Sequence, residues 1–252
     1  MKLDYFALTC PGGREVNEDS WGAFVNDNGE LCFVVADGLG GHGFGDLASQ
    51  KAVSVFEEVF DGCKSYAPEE FIDAAFAKAQ DEILNMQKER HNKQGMKTTC
   101  VALCVFQDKI RWGHIGDSRL YAFKKNKIVF QTTDHSVPQL LVMAKEIKPR
   151  QIRHHPDRNK LLKVLGIPWE EKQFQISQEF KPDDFDAFLL CSDGFWELID
   201  EKSMRKHLKK SVSAQNWVER MACEVNENGA NEEMDNYTAV SYTHLRAHET
   251  GR

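Results

Sequence analysis

TTCVALCVFQDKIRWGHIGDSRLYAFKKNKIVFQT (98–132) holds four short runs rich in β-branched and aromatic residues: TTCVALCVF, KIRWGHI, RLYAF and KIVFQT. The polar turns QD, GDS and KKN separate them, a pattern that predicts an antiparallel meander. Outward from it, further strands are expected at 31–36, 173–178, 187–191 and 237–240. Helices bracket these strands. Over about 46–63, Ala48, Ala52, Val55, Phe56, Val59 and Phe60 fall on one stripe at helical spacing. A second helix starts near Pro68, with Glu69 and Glu70 at its positive end and Ile72, Ala75, Phe76, Ala79, Ile83 and Met86 on its apolar face. A later helix, about 214–227, has Ser213 as N-cap and Trp217, Val218, Met221 and Val225 inward. Helices around many antiparallel strands predict an α+β layered sandwich. No repeat or Gly/Ser/Pro linker divides the chain, so a single domain is expected over 1–240.

The 252 residues are 41% apolar and 28% charged, with a net charge of 32 − 39 = −7, which argues against a chain-wide nucleic-acid footprint. The longest apolar runs, FVVA (33–36), VALCVF (101–106) and AFLLC (187–191), are far shorter than the roughly 20 residues that span a bilayer. MKLDYFALTC carries Asp4 and no apolar stretch of signal-peptide length, so no membrane association and a cytoplasmic location are expected. Seven cysteines without a C-x-x-C pair read as buried reduced thiols. Cys100 and Cys104 would share a strand face but lack further ligands for zinc. The segment 137–170 is mixed, basic and short-helical, an insertion lying over something rather than core.

Acids recur at the ends of apolar runs beside glycine, Asp37 in FVVADGLGGH, Asp117 in WGHIGDSRLY and Asp193 in FLLCSDGFWE, and Asp235 in EEMDNYTAV opens a strand. Glu18 and Asp19 in REVNEDSWG precede another strand. One such acid is normally a turn residue; five sites together carry more weight. If they converge, their mutual repulsion at low effective dielectric calls for a cation. Oxygen ligands without His or Cys select Mg²⁺ or Mn²⁺, and a glycine beside a ligand lets a backbone carbonyl join the shell. Two ions about 4 Å apart would lower the pKa of water and clamp a phosphoryl oxygen, which points to phosphate ester hydrolysis. Arg14, four residues before Glu18, is either a phosphate clamp or half of a surface salt bridge. DGLGGHGFG lacks the Lys-Ser/Thr of a P-loop and reads as a tight turn presenting Asp37. None of the seven cysteines has an Arg at the C-x₅-R spacing of cysteine phosphatases.

In these residues the chain resembles the metal-dependent protein serine/threonine phosphatases of type 2C, the PPM family, in its compact bacterial form. REVNEDSWG, VVADGLGGHGFGDLAS, GMKTTCVAL, GHIGDSRLYAF, TTDHSVPQLL, HHPDRNKLLKVLG, LLCSDGFWE and DNYTAV follow the family's order over roughly residues 10–240. The resemblance implies an α-β-β-α sandwich of two antiparallel β-sheets flanked by helices. It implies that Asp37 bridges two metal ions, that Gly38 lends its carbonyl, that Asp193 and Asp235 complete one ion and that Glu18 serves the other. Asp19 would hold metal-bound water, Arg14 the substrate phosphate, and Asn236 would lie beside the site. Asp117, with Asp193, would recruit a weaker third ion. Thr98 and Thr99 look structural. Hydrolysis would proceed by direct attack of metal-activated hydroxide on phosphoserine or phosphothreonine. Phosphorylated proteins would be the substrates, a serine/threonine kinase a partner, and the enzyme a monomer that binds neither nucleic acid nor membrane.

Leu39 stands where eukaryotic relatives place a proposed general-acid His, Glu197 where Asp is common, and Lys97 where glycine is frequent. His42 reads as packed behind the glycine turn. The basic stretch 144–163 matches the family's flap beside the active site and is either a contact for acidic phosphopeptides or a solvated face. SYTHLRAHETGR (241–252) breaks the strand pattern and resembles a non-native tail. The alternative function is a catalytically impaired phosphoprotein-binding scaffold, which should have lost metal carboxylates. A small-molecule phosphatase would differ in substrate preference.

Overall fold

FVVA is apolar without alternation because its strand is covered on both faces. Phe33 and Val35 point into one core, Val34 and Ala36 into another, and all four are fully buried. The computed structural model describes residues 4–39, 44–62, 67–90, 95–230 and 233–243. In chain order these form β1 (Asp4–Cys10), β2 (Asp19–Val25), β3 (Leu31–Leu39), α1 (Gly45–Gly62), α2 (Pro68–Glu89), β4 (Lys97–Thr98), β5 (Cys100–Phe106), β6 (Lys109–Ile115), β7 (Arg119–Lys124) and β8 (Lys127–Gln131). Then come α3 (Val137–Met143), a 3₁₀ turn (Pro149–His154), β9 (Gln175–Ile176), β10 (Ala187–Cys191), α4 (Asp193–Trp196), α5 (Glu201–Lys210), α6 (Ala214–Gly229) and β11 (Tyr237–Thr243).

Among the described residues the strands make two antiparallel sheets, ordered β1-β11-β10-β7-β8 and β2-β3-β5-β6-β9, with β4 paired to the end of β3. Leu103, Leu120, Phe188 and Val240 fill the space between them. α1 and α2 cover the second sheet through Ala52, Phe56, Ile72 and Phe76, and α6 covers the first through Trp217, Met221 and Val225. Each fully buried side chain of this size contributes about 1.5–3 kcal/mol of apolar transfer. The result is the expected α-β-β-α sandwich. Cys100 and Cys104 do share a strand face, packed in the apolar core under α1 and α2.

The expected meander over 98–132 is two hairpins in two different sheets. β5 pairs β6 in one sheet and β7 pairs β8 in the other; β6 and β7 do not pair. The chain changes sheets at Gly116, whose φ is +99° and where a Cβ would lie 2.6 Å from the Cβ of Thr99. Only glycine fits that crossing, and the loop it creates carries Asp117 to the seam between the sheets.

Several boundaries move for local reasons. β3 runs three residues beyond the expected 36, because Gly38 and Leu39 pair with Thr98 and Lys97; Asp37 thus lies within a strand rather than on a tight turn after it. The strand expected over 173–178 shrinks to Gln175–Ile176. The Ser177 hydroxyl accepts from Trp112 N–H at 3.1 Å, and the Phe174 ring leaves the ladder to stack on Phe76 at 4.8 Å. β11 continues to Thr243 against Asp4 and Ala187, so Ser241, Tyr242 and Thr243 belong to the sheet and not to a separate tail. Residues 244–252, His42 and Cys63 lie outside the described residues. Ser213 caps α6 as expected, accepting from Asn216 N–H at 3.1 Å. No helix among the described residues is long and apolar enough to cross a membrane.

Candidate active site

Strand pairing alone brings the first two acids together. Asp19 and Asp37 are direct partners across β2 and β3. The backbone of Asp37 is held on its other side by Thr98 and Thr99. Thr98 Oγ1 and Thr99 N–H both donate to the Asp37 carbonyl, at 2.8 and 2.9 Å, and Asp37 N–H donates to Thr99 Oγ1 at 3.1 Å. The threonines are structural, as expected, and what they hold is this one aspartate.

Glu18 is positioned from two sides. Its N–H donates to Asn236 Oδ1 at 2.8 Å, while Asn236 Nδ2 donates to the carbonyls of Pro11 and Val16 at 2.9 and 3.0 Å. Its carboxylate accepts from Gly45 N–H at the first turn of α1. Gly38 and Gly45 make this approach possible: a Cβ on Gly38 would fall 2.2 Å from the Gly45 carbonyl oxygen and 2.6 Å from that of Glu18. Any side chain there would push α1 off the strand.

The remaining acids arrive on the ends of the other sheet. Asp193 opens α4 directly after β10, and Gly194 lets that turn sit against Asn236, whose carbonyl oxygen a Cβ would meet at 2.2 Å. Ser192, just before it, donates from Oγ to Asp19 Oδ2 at 2.7 Å and accepts from Thr238 N–H at 2.9 Å. Asp117 is fixed through its carbonyl, which accepts from Trp196 Nε1 at 3.0 Å, and through Gly116, whose N–H donates to His135 Nδ1 at 3.1 Å. Burial first, then the stacked His114, pushes the His135 ring down to about 3, which keeps it neutral and its Nδ1 an acceptor.

These elements enclose a cleft of about 470 Å³. Glu18, Asp37, Gly38, Asp117, Asp193 and Asp235 line it, and Arg14 stands at its mouth. Asp19 does not line it; its side chain is buried behind, on Ser192 and Thr238. Arg14 makes a bidentate pair with Asp235, Nε to Oδ1 and Nη2 to Oδ2, both at 3.1 Å, so this guanidinium and this carboxylate face each other across the opening. Asn159 and Leu161, from the basic segment after the 3₁₀ turn, complete the wall. That segment is the insertion expected to lie over something. Arg158 pins it to the body by donating to Glu197 Oε2 at 2.9 Å, and Glu197, off the cleft, is pushed up to about 7 by burial first and then by Asp193.

Electrostatics set this cluster apart. Burial, then Asp193, Asp19 and Asp117, raise Asp37 well above the ordinary carboxylate range. Burial, then Asp193 and Asp134, do the same to Asp117. Asp193 is raised by burial and Asp235, and Asp19 is raised to about 7, chiefly by burial. A side-chain hydrogen bond between Asp37 and Asp193 adds to the rise of Asp37. One carboxylate oxygen each of Asp19 and Asp117 is buried without a hydrogen-bond partner. Among the described residues lining the cleft, Arg14 alone is a lysine or arginine, and it is engaged by Asp235. Crowded carboxylates with unmet acceptor capacity fit a hard divalent cation in charge and in donor chemistry. They do not form a closed cage, since among the described residues no three acidic, histidine or cysteine side chains surround one point as ligands.

Two residues near the cleft had no role in the sequence reading. Asp46, taken only as part of a helix, lies beside Glu18 with a buried unpartnered Oδ1. Asp134, in the quoted TTDHS, binds Arg119 through two bonds of 2.8 and 2.7 Å. Its spacing of fifteen residues from Arg119 gives no local signal.

The sequence model described as Protein phosphatase 2C matches residues 12–237. The chain is 32% identical over 200 residues to the serine/threonine phosphatase stp of Listeria monocytogenes, covering 78% of this chain and 79% of that one. Its fold superposes on the serine/threonine phosphatase Stp1 of Staphylococcus aureus with a TM-score of 0.88 at 25% identity, covering 98% and 96% of the two chains. It is similar in fold, with a TM-score of 0.79 at 24% identity and coverage of 96% and 97%, to the catalytic domain of serine threonine protein phosphatase PstP in complex with 2 manganese ions. With the sandwich, the motif order and the acidic cleft in agreement, the chain belongs to the protein phosphatase 2C family.

Proposed function

We infer that the protein is a metal-dependent serine/threonine phosphatase that hydrolyses phosphoserine and phosphothreonine on proteins in this cleft. The observation that carries the reading is the buried group Asp37, Asp193 and Asp117, all raised by burial and by neighbouring carboxylates, with Arg119 and Arg158 offsetting this only in part. Two magnesium or manganese ions would be held here by Asp37 and the carbonyl of Gly38, with Asp193 and Asp235 completing one ion and Glu18 serving the other. Asp117 with Asp193 is assigned a weaker third. Such ions supply Lewis-acid polarisation of phosphoryl oxygens and a lowered pKa for water.

The chain's own residues do the rest. Asn236 and Gly45 hold the Glu18 carboxylate in place, and Ser192 holds Asp19 beneath the floor, where it orients water from behind. Arg14 binds the substrate phosphate. It must first turn from Asp235, a small cost for a pair in which both side chains are about half exposed. Asn159 and Leu161 shield one side of the reacting group from bulk water. The catalytically silent alternative gains no support, because the carboxylates such a relative loses all line this cleft. A cytoplasmic monomer acting opposite a serine/threonine kinase completes the reading; the buried thiols Cys100 and Cys191 suit a reducing compartment.

The test is phosphopeptide turnover with Mn²⁺, with Mg²⁺ and in EDTA, for wild type and Asp193→Asn. Turnover is expected only with the ions, and Asp193→Asn is expected to lose about 10³-fold. Equal rates in all conditions would reject the mechanism.

A further inference from the structure

A second cavity, of about 460 Å³, opens between the Pro149–His154 turn and the start of α5, with Trp196 at its base. Its wall is cationic. Arg119 is saturated there: Nε and Nη2 bind Asp134, Nη1 donates to the Tyr121 hydroxyl at 3.1 Å, and the guanidinium lies 3.4 Å over the Trp196 ring. Arg153 is not saturated. Its Nη2 donates to Glu201 Oε1 at 2.8 Å, but its Nη1 is buried with no hydrogen-bond partner. Arg150 and Lys202 stand exposed at the rim and make no ion pair among the described residues. The acids at the cavity are already committed, Glu201 to Arg153 and Asp200 to capping α5 through Ser203 N–H at 2.7 Å.

A guanidinium that packs over Trp196, keeps one nitrogen without a hydrogen-bond partner and lines a cavity rimmed by two unpaired cations leaves room for an anion. Donors approaching from three separate side chains match tetrahedral oxygens better than the two oxygens of a planar carboxylate. We propose that this cavity is a second oxyanion site, distinct from the catalytic cleft, that takes a phosphate group, either free phosphate or a phosphoryl group on a peptide. The same chain segment that supplies Arg150 and Arg153 goes on to line the cleft with Asn159 and Leu161. An anion gripped here therefore braces the segment that runs on to the cleft.

The test is equilibrium dialysis of the intact protein against radiolabelled inorganic phosphate in EDTA, where the acidic cleft repels oxyanions. Binding of one equivalent is expected, with Kd of about 1 mM or tighter. Arg150→Ser with Lys202→Ser, both exposed and safe for folding, should weaken it at least about tenfold, while Arg14→Ala at the cleft should leave it unchanged. Displacement of the label by a phosphopeptide identifies a peptide-borne source; displacement by inorganic phosphate alone identifies free phosphate. The proposal is overturned if wild type binds nothing at about 10 mM, if acetate competes as well as phosphate, or if binding survives the double variant and falls with Arg14→Ala.

Discussion

Asp117 and Arg119 are two residues apart, both buried, and their charges are handled in opposite ways. Arg119 carries its own answer: a bidentate Asp134, the Tyr121 hydroxyl and the face of Trp196. Asp117 turns to the other side of the same strand end, toward Asp193 and Asp37, and leaves one oxygen unpartnered. The Arg119 region is a buried pair whose formation offsets its desolvation. The Asp117 region is a cluster of like charges that Arg119 and Arg158 offset only in part and from a distance. The buried charge at Arg119 is neutralised by a paired acid, and the buried charge at Asp117 sits among other acids.

The sharpest way to break that contrast is to remove one member of each region and compare unfolding in urea, in EDTA. Arg119→Met strands Asp134 in the interior and should cost about 3–5 kcal/mol. Asp37→Asn removes one of several repelling carboxylates and should leave the ion-free protein as stable as wild type or more so. Opposite signs uphold the distinction, and equal losses would erase it.

How much of this could be read from the sequence follows from whether the signal was local. The α1 and α2 stripes, the strand at 187–191 and the Ser213 cap were legible because helix period, strand alternation and capping act over a few residues. The sheet change at Gly116 was not: GDS looks like any polar turn, and what requires glycine at that crossing is the side chain of Thr99, seventeen positions away. The cleft acids were legible as a set because each lies at or near a strand end in the sequence pattern, and Asp37, Asp117 and Asp193 lie beside glycine. That Asp19 lies behind the cleft depends on Ser192 and Thr238, which pattern cannot connect. The Arg14–Asp235 pair answers the choice between clamp and salt bridge only in part, since the ion pair stands at the very mouth where a phosphate would enter.

The next largest effect is on pH dependence. Asp19 ionises at 3.8 when unfolded and near 7 when folded. Below the lower value both states are protonated and the group contributes nothing. Between the two, the folded chain keeps a proton that the unfolded chain has released, so the Asp19 contribution turns against folding as pH rises and levels off above the upper value. Asp19→Asn lacks this term and still offers Ser192 an acceptor oxygen. Its stability relative to wild type, measured by urea titration in EDTA, should therefore climb by about 1–3 kcal/mol from pH 4 to pH 8. Arg119→Met, tested alongside, should show no such climb. A flat difference for Asp19→Asn would mean that the acids near the cleft are compensated within the chain after all.

The smallest effect belongs to the ion pair at the mouth of the cleft. Arg14 and Asp235 are bonded as squarely as Arg119 and Asp134, yet their side chains are 54% and 46% exposed where the buried pair is 5% and 2%. Water already screens them, so Arg14→Ala should change stability by less than about 1 kcal/mol in the same urea assay. The functional loss should be larger than the structural one: an arginine that turns to a substrate phosphate contributes a charge-assisted bond, and kcat/KM for a phosphopeptide should fall by about tenfold or more. A variant that loses stability as Arg119→Met does, with kcat/KM intact, would place Arg14 among the residues that hold the fold and take it out of the site.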